Sequence, residues 1–109
     1  MSESAQDLYD EGSGMIAIGN ISSAAEKYKQ SIEVDPEFFD GWHALGMALM
    51  KSWKLKEAIC AGLMATDLRP NDQLAWTSLS QMYMKNGQIK EAEAAKSNAT
   101  VIGIGGKLK

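Results

Sequence analysis

The sequence has few of the residues on which disulfide scaffolds and catalytic sites depend. Its 109 residues include one cysteine, one histidine and two prolines. The lone cysteine, Cys60, cannot form a disulfide within the chain, which agrees with a reducing compartment. The chain also lacks a phosphate-binding glycine motif and a nucleophile signature. We therefore predict a non-enzymatic protein that uses no cofactor.

Long apolar runs and an excess of positive charge are missing too. No apolar stretch approaches the roughly 20 residues of a membrane span. The opening MSESAQDLYDEG is acidic and polar, whereas a secretory signal begins with basic residues and an apolar segment. The net charge is -3, although nucleic-acid-binding surfaces concentrate lysine and arginine. We predict a cytoplasmic protein with neither a membrane nor a nucleic acid as partner.

What the sequence does contain is a period of 34 residues. Five registers share it: Ala24, Ala58 and Ala92; Ile21, Leu55 and Ile89; Leu8, Trp42 and Trp76; Gly12, Gly46 and Ser80; Pro36 and Pro70. A fixed period of this length is typical of stacked structural repeats. Within each unit the apolar spacing is helical in two stretches, so each unit is predicted to be a hairpin of two helices. The small residues at the glycine and alanine registers predict a close approach between those helices.

The middle of each unit predicts a turn. Gly19 and Gly87 suit the left-handed conformation that ends a first helix. Trp53 occupies the equivalent position of the second unit, and a bulky side chain adopts that conformation only at a cost. We therefore expect the middle turn to have a different backbone. Pro36 and Pro70 are expected just beyond the second helices, because proline lacks the amide that would continue them.

One family pattern fits these registers. The run W-x2-L-G-x2-L from Trp42 to Leu49, with Ala58 and Pro70 in register, resembles the tetratricopeptide repeat family, whose pattern is W-x2-L-G-x2-Y, then Ala, then Pro. The resemblance implies an all-α, right-handed solenoid of three antiparallel helix hairpins, six helices in all. The repeats would be residues 5–38, 39–72 and 73–106 in a single domain, with a flexible tail from about residue 103 to 109.

The resemblance also implies a protein-binding module with a concave groove formed by the first helices. The groove positions of the family fall on Tyr9, Ser13, His43, Met47, Met50, Lys51, Thr77, Gln81, Met84 and Lys85. The three methionines are expected to form an apolar floor, because methionine suits surfaces that adapt to a partner. His43 and Gln81 would add polar contacts. The expected ligand is a peptide or helix of another protein; the alternative is that these methionines are core.

A carboxylate-binding version of this groove is known in the family, built from lysine, asparagine and arginine. The matching positions here are Tyr9, Ser13, Ala44, Leu74 and Ser78. None of these side chains carries the positive charge that a C-terminal carboxylate needs. We predict that the ligand is not the C-terminal tail of a heat-shock chaperone.

The sequence leaves one structural alternative to the adaptor open, and it also suggests one metal site to consider. His43, Met47 and Met50 are spaced for one helix face and would suit Cu(I), but without a second histidine we predict no metal site. The structural alternative to an adaptor is a homo-oligomer, assembled through the solenoid ends or the VIGIGG tail.

Charge follows the repeat as well. Lysines collect at the turns within the hairpins, at Lys51, Lys54, Lys56, Lys85 and Lys90. Acidic residues collect at the turns between hairpins, at Glu33, Asp35, Glu37, Asp40, Asp67 and Asp72. Helix-end electrostatics accounts for much of this pattern. A basic and an acidic edge could also orient a polar-ended ligand along the groove.

The repeat register predicts opposite outcomes for two enlarged alanines. Ala58→Leu places a larger side chain where the helices of the middle hairpin approach most closely, so it should lower the free energy of unfolding by about 1–3 kcal/mol. Ala94→Leu, on the exposed side of the last helix, should be nearly neutral. Thermal and urea denaturation measure both, and equal melting temperatures would show that the register is wrong.

Overall fold

The structure, a computed structural model, describes residues 3–108. This part of the chain forms six α-helices: α1 Ala5–Ala17, α2 Ile21–Val34, α3 Phe39–Lys51, α4 Leu55–Leu68, α5 Gln73–Lys85 and α6 Ile89–Gly103. Consecutive helices pair as hairpins, α1 with α2, α3 with α4 and α5 with α6. The predicted all-α solenoid of three hairpins is confirmed.

The helix starts are fixed by short polar side chains where the chain provides them. Ser4 forms a capping box with Asp7, each side chain pairing with the other residue's backbone amide. The side chain of Asn20 accepts from the amide of Ser23, and that of Asp72 accepts from the amide of Ala75. Each cap satisfies an amide that has no partner within its helix, a contribution of typically about 1 kcal/mol.

Within each hairpin the helices meet at alanine. Ala24, Ala58 and Ala92 have no exposed surface. A Cβ added to Gly46 would lie 3.5 Å from the Ala58 carbonyl oxygen, and the Ser80 hydroxyl donates to the Ala92 carbonyl at 2.8 Å. The predicted close approach at the glycine and alanine registers is confirmed in these two hairpins.

The hairpins stack through a continuous apolar core. The second helix of each hairpin packs on the first helix of the next, α2 on α3 and α4 on α5. Leu79 and Met82 of α5 are 1% and 0% exposed, and they belong to the same core cluster as Leu45 and Leu49 of α3. A hairpin alone would leave this surface in water, so each repeat depends on its neighbour.

The turns within the three hairpins share one backbone geometry. Gly19, Trp53 and Gly87 have φ of 81°, 60° and 78°. In each turn, the amide of this residue and the next amide donate back to the first helix; from Trp53 and Lys54 the acceptors are the carbonyls of Met50 and Leu49, at 3.0 and 2.9 Å. The expectation of a different middle turn is therefore wrong. The capping hydrogen bonds and the hairpin packing outweigh a left-handed cost of roughly 1–2 kcal/mol.

The end of α6 turns back towards the rest of the fold. Gly105 has φ of 92°, and the amide of Gly106 donates to the Val101 carbonyl at 2.8 Å, which closes the helix. Beyond it, the amide of Leu108 donates to Oδ1 of Asn71, in the linker between α4 and α5, at 2.8 Å. The mobility predicted for the tail stays a prediction; residue 109 lies outside the described part.

The left-handed turn predicts an unusual ranking of two substitutions at one position. Trp53→Gly and Trp53→Ala both remove the indole ring, but only glycine removes the backbone strain at positive φ. The glycine variant should therefore be the more stable of the two by about 1 kcal/mol, the reverse of the order inside a helix. Urea denaturation of the pair is the measurement. An alanine variant as stable as the glycine variant would contradict the left-handed geometry.

Candidate functional site

The first helices α1, α3 and α5 lie side by side and form one surface, here called the first-helix face. A depression of about 140 Å³ lies on it between α1 and α3, lined by Ile16, Tyr28, Ala44, Met47, Ala48 and Lys51. Most of its lining is apolar, with the exposed ammonium-bearing chain of Lys51 at its rim. An apolar depression with a cation beside it can accept a side chain of a partner peptide.

Met50 does not belong to this surface. It is 6% exposed and lies in the main core cluster, so its assignment to the groove floor is corrected. Its repeat equivalent on α5, Met84, is 51% exposed. The difference follows from stacking: α3 has a further hairpin packed beside it, whereas α5 belongs to the last hairpin. Equivalent positions thus differ in burial because their neighbours differ.

Tyr9 and Ser13 are engaged in packing of the first hairpin. The Tyr9 ring lies 5.7 Å from the Tyr28 ring and 5.8 Å, edge to face, from that of Phe38. Ser13 Oγ is 3.2 Å from the Tyr28 hydroxyl. Both predicted site residues remain half-buried rather than enclosed. They form the part of the first-helix face that lies beside α2. Their contacts within the fold leave them less available to a partner.

His43 links two hairpins. Its Nε2 lies 3.1 Å from Ser78 Oγ on α5, and its ring stacks on Phe39 with a centroid distance of 5.7 Å and an interplanar angle of 6°. Burial lowers the pKa of His43 below its ordinary value, against the smaller opposing effect of the carboxylates of Asp72 and Asp40. Burial therefore favours the neutral imidazole, which connects α3 to α5 through Ser78.

The histidine and methionines weighed as a copper site are not brought together as a ligand set. Met50 lies in the core, and the Nε2 atom of His43 already has Ser78 as its partner. Within residues 3–108, no three histidine, cysteine or acidic side chains are grouped as they would be around a metal ion.

The remaining predicted residues lie on α5. Thr77 donates its hydroxyl to the Gln73 carbonyl at 3.0 Å, and Gln81 is exposed. Lys85 reaches across to the previous hairpin, where its Nζ lies 4.7 Å from the centre of the Trp53 ring. The structure thus brings Met47 and Lys51 together at the depression, while Met84 and Lys85 lie near the turns.

A larger cavity lies on the opposite side of the stack, between α4 and α6. Its volume is about 400 Å³, and its lining is Leu63, Thr66, Asp67, Pro70, Trp76, Asn98 and Leu108. The repeat pattern did not predict this cavity, because it identified Trp76 only as a position of the 34-residue register. Leu63, an exposed leucine on α4 outside its buried positions, is the residue that could have indicated this cavity.

Solved structures resemble this architecture closely. The second TPR of Spaghetti (RPAP3), bound to the HSP90 peptide SRMEEVD, matches with a TM-score of 0.87 and 22% identity over 92% of this chain and 93% of that one. The fold is that of the tetratricopeptide repeat. MamA matches with a TM-score of 0.88 and 22% identity, over 93% of this chain and 59% of that one. The Sgt2 TPR domain from Aspergillus fumigatus has a TM-score of 0.86 and 21% identity, over 94% and 68%.

At these identities the TPR likeness establishes the fold. No protein-family profile matches the sequence, and no curated protein sequence is significantly similar to it. In the part of the chain that the structure describes, none of the helices is both long and apolar enough to span a bilayer.

The burial difference between equivalent methionines predicts opposite responses to charge. Met50→Glu buries a carboxylate without a partner and should lower the free energy of unfolding by several kcal/mol, enough to unfold a domain of this size. Met84→Glu, at the equivalent exposed position, should change it by less than about 0.5 kcal/mol. Circular dichroism during denaturation tests the pair. A folded Met50→Glu protein would show that Met50 belongs to the surface and not to the core.

Proposed function

We propose that this protein is a non-enzymatic adaptor of the cytoplasm that holds a peptide or helix of a partner protein against its first-helix face. The observation that carries the proposal is the depression between α1 and α3, where Met47 and Ile16 present apolar surface and Lys51 lies at the rim. The exposed, unpaired Cys60 fits a reducing compartment.

The lining of the depression favours an apolar side chain of the ligand. Met47 is unbranched and flexible, so it can adjust to ligands of different shape. Ala44 and Ala48 are small and leave room above α3. A leucine, methionine or aromatic side chain of the partner would lose its hydration there, which contributes roughly 1.5–3 kcal/mol when burial is complete.

The charges near the depression favour an acidic residue beside that anchor. Lys51 is exposed at the C-terminal end of α3, and Lys85 stands at the same place on α5. A carboxylate two or three positions from the apolar anchor could approach these ammonium groups. Such rim pairs add orientation and association rate more than affinity.

A free C-terminal carboxylate is not the recognised group in this proposal. The second TPR of Spaghetti was solved with the HSP90 peptide SRMEEVD, which is rich in acidic residues near its end. Here, however, Ser78 is 3% exposed and paired with His43, and Leu74 is 63% exposed and apolar. Neither supplies a cation, so the ligand is proposed to be an internal segment rather than a chain end.

The first-helix face is preferred over the larger cavity between α4 and α6 for a physical reason. Two polar groups of that cavity already have internal partners: the Thr66 hydroxyl donates to the Leu63 carbonyl at 3.0 Å and the Trp76 indole to the Pro70 carbonyl at 2.8 Å. The tail also contributes Leu108 to its lining. Recognition needs groups free to meet the ligand.

A matched pair of variants tests the choice of surface. Met47→Glu introduces a charge into the depression and should reduce retention of the protein's partners from native lysate at least tenfold, or about 1.4 kcal/mol. Leu63→Glu, on the opposite side of the solenoid, should leave retention unchanged. Both proteins are first checked for wild-type helicity by circular dichroism, and retained species are quantified by mass spectrometry.

The opposite pattern would indicate a different binding site. If the Leu63→Glu protein lost its partners and the Met47→Glu protein retained them, the ligand would bind in the cavity between α4 and α6. Retention by both variants would remove the ligand from both surfaces and overturn the proposal.

A further inference from the structure

Most of the large exposed apolar side chains among residues 3–108 lie on two opposite edges of the stack. The turn edge consists of the turns within the hairpins, residues 18–20, 52–54 and 86–88, with the adjoining helix ends. The linker edge consists of the linkers at 35–38 and 69–72, the adjoining helix ends and residues 104–108. Antiparallel helices necessarily place these two sets of connections at opposite ends of the hairpins.

On the turn edge, Trp53 is the central exposed group. It is 66% exposed, with Ile18 79% exposed in the preceding hairpin and Met84 51% exposed in the following one. Five exposed lysines surround them: Lys51, Lys54, Lys56, Lys85 and Lys90. Glu57 and Glu91, in the first turns of α4 and α6, only partly offset this positive charge.

Neither the core nor the turn requires a tryptophan at position 53. Its φ of 60° is the conformation that glycine provides without strain in both other hairpins, and its ring is mostly in water. The Lys85 ammonium lies 4.7 Å from the ring centre and so limits the positions of the ring. A strained, exposed and oriented indole is suited to contact with another molecule.

The linker edge has the complementary character. Val34, Leu74 and Ile104 are 53%, 63% and 82% exposed. Acidic residues border them: Glu33, Asp35, Glu37, Asp40, Asp67 and Asp72. Arg69 and Lys107 oppose this charge, but the Arg69 guanidinium is occupied over the Phe39 ring, 4.2 Å from its centre.

We propose that the turn edge binds the linker edge of a second copy of this chain. The Trp53 indole would pack among the exposed apolar side chains of the linker edge, with lysines of one copy facing carboxylates of the other. Because the two surfaces are different, the contact is heterologous and leaves one free edge of each kind. The assembly therefore grows with concentration. Trp53, Lys54 and Lys56 do not line the depression at Met47, so they can be changed without altering the proposed ligand site. Lys51 and Lys85 belong to both surfaces and are left unchanged in the tests.

Sedimentation velocity of the full chain at rising protein concentration tests the contact. The wild type should show an average mass that increases with concentration and falls when sodium chloride is raised, because salt screens exposed charge pairs. Trp53→Gly, which keeps the turn geometry, should stay a monomer over the same range. Leu63→Gln, an exposed apolar residue away from both edges, should associate like the wild type. A monomeric wild type, or a Trp53→Gly protein that still associates, would overturn the proposal.

Reversed charges give a second test that does not depend on tryptophan. Lys54→Glu with Lys56→Glu makes both edges acidic. Glu33→Lys with Glu37→Lys leaves four carboxylates and four cations among the charged groups named for the linker edge, so that edge loses its net negative charge and no longer complements the basic turn edge. Acids suit the start of α4, and a lysine at position 33 suits the end of α2. The change at Glu37 places a cation beside the start of α3, at a cost of about 0.3–1 kcal/mol, which should not unfold the domain. Each double variant alone should be monomeric, whereas an equimolar mixture should sediment faster than either. A mixture that sediments as the sum of its parts would refute the edge-to-edge contact.

Discussion

The structure depends on how closely the two helices of each hairpin approach one another. Ala24, Ala58 and Ala92 are fully buried at this contact, and the facing positions in the second and third hairpins are glycine and serine. With little side chain between them, the helices can share one apolar surface and offer it to the next hairpin. If the two helices were separated by a larger residue, the following first helix would no longer fit between them and the stack would lose its register.

The fold could be predicted from the sequence because this contact repeats. A single small residue indicates little, but the same pair recurring at one interval in three units, with prolines at the same interval, is typical of stacked helical hairpins. The capping geometry at Gly19 and Gly87 was equally predictable, since glycine at the end of an amphipathic stretch indicates a left-handed residue. Local chemistry and long-range packing agree at these positions, which makes them predictable.

The candidate site was harder to predict for two reasons. Met50 and Met84 occupy equivalent positions, yet their burial is decided by whether another hairpin follows, which no property of the residue itself reveals. The prediction for Trp53 was wrong because it rested on propensity alone, whereas the turn is imposed on this residue by the hydrogen bonds and packing of the whole hairpin. For His43, the bond to Ser78 depends on a helix 35 residues away, which the local sequence does not reveal.

That bond has a mechanical consequence. It is directional, and it joins the second hairpin to the third. Among residues 3–108, the side-chain contacts described between the helices of the first hairpin and those of the second are apolar, as in the core cluster that Ala24 and Tyr28 share with Leu45. The hydrophobic effect itself has no direction, so the packing of apolar surfaces sets their separation mainly through the shapes of the side chains. The His43–Ser78 bond therefore adds a directional constraint between the second and third hairpins, at a place where their helices also share apolar surface. Substituting either residue would remove that constraint and leave the apolar contact in place.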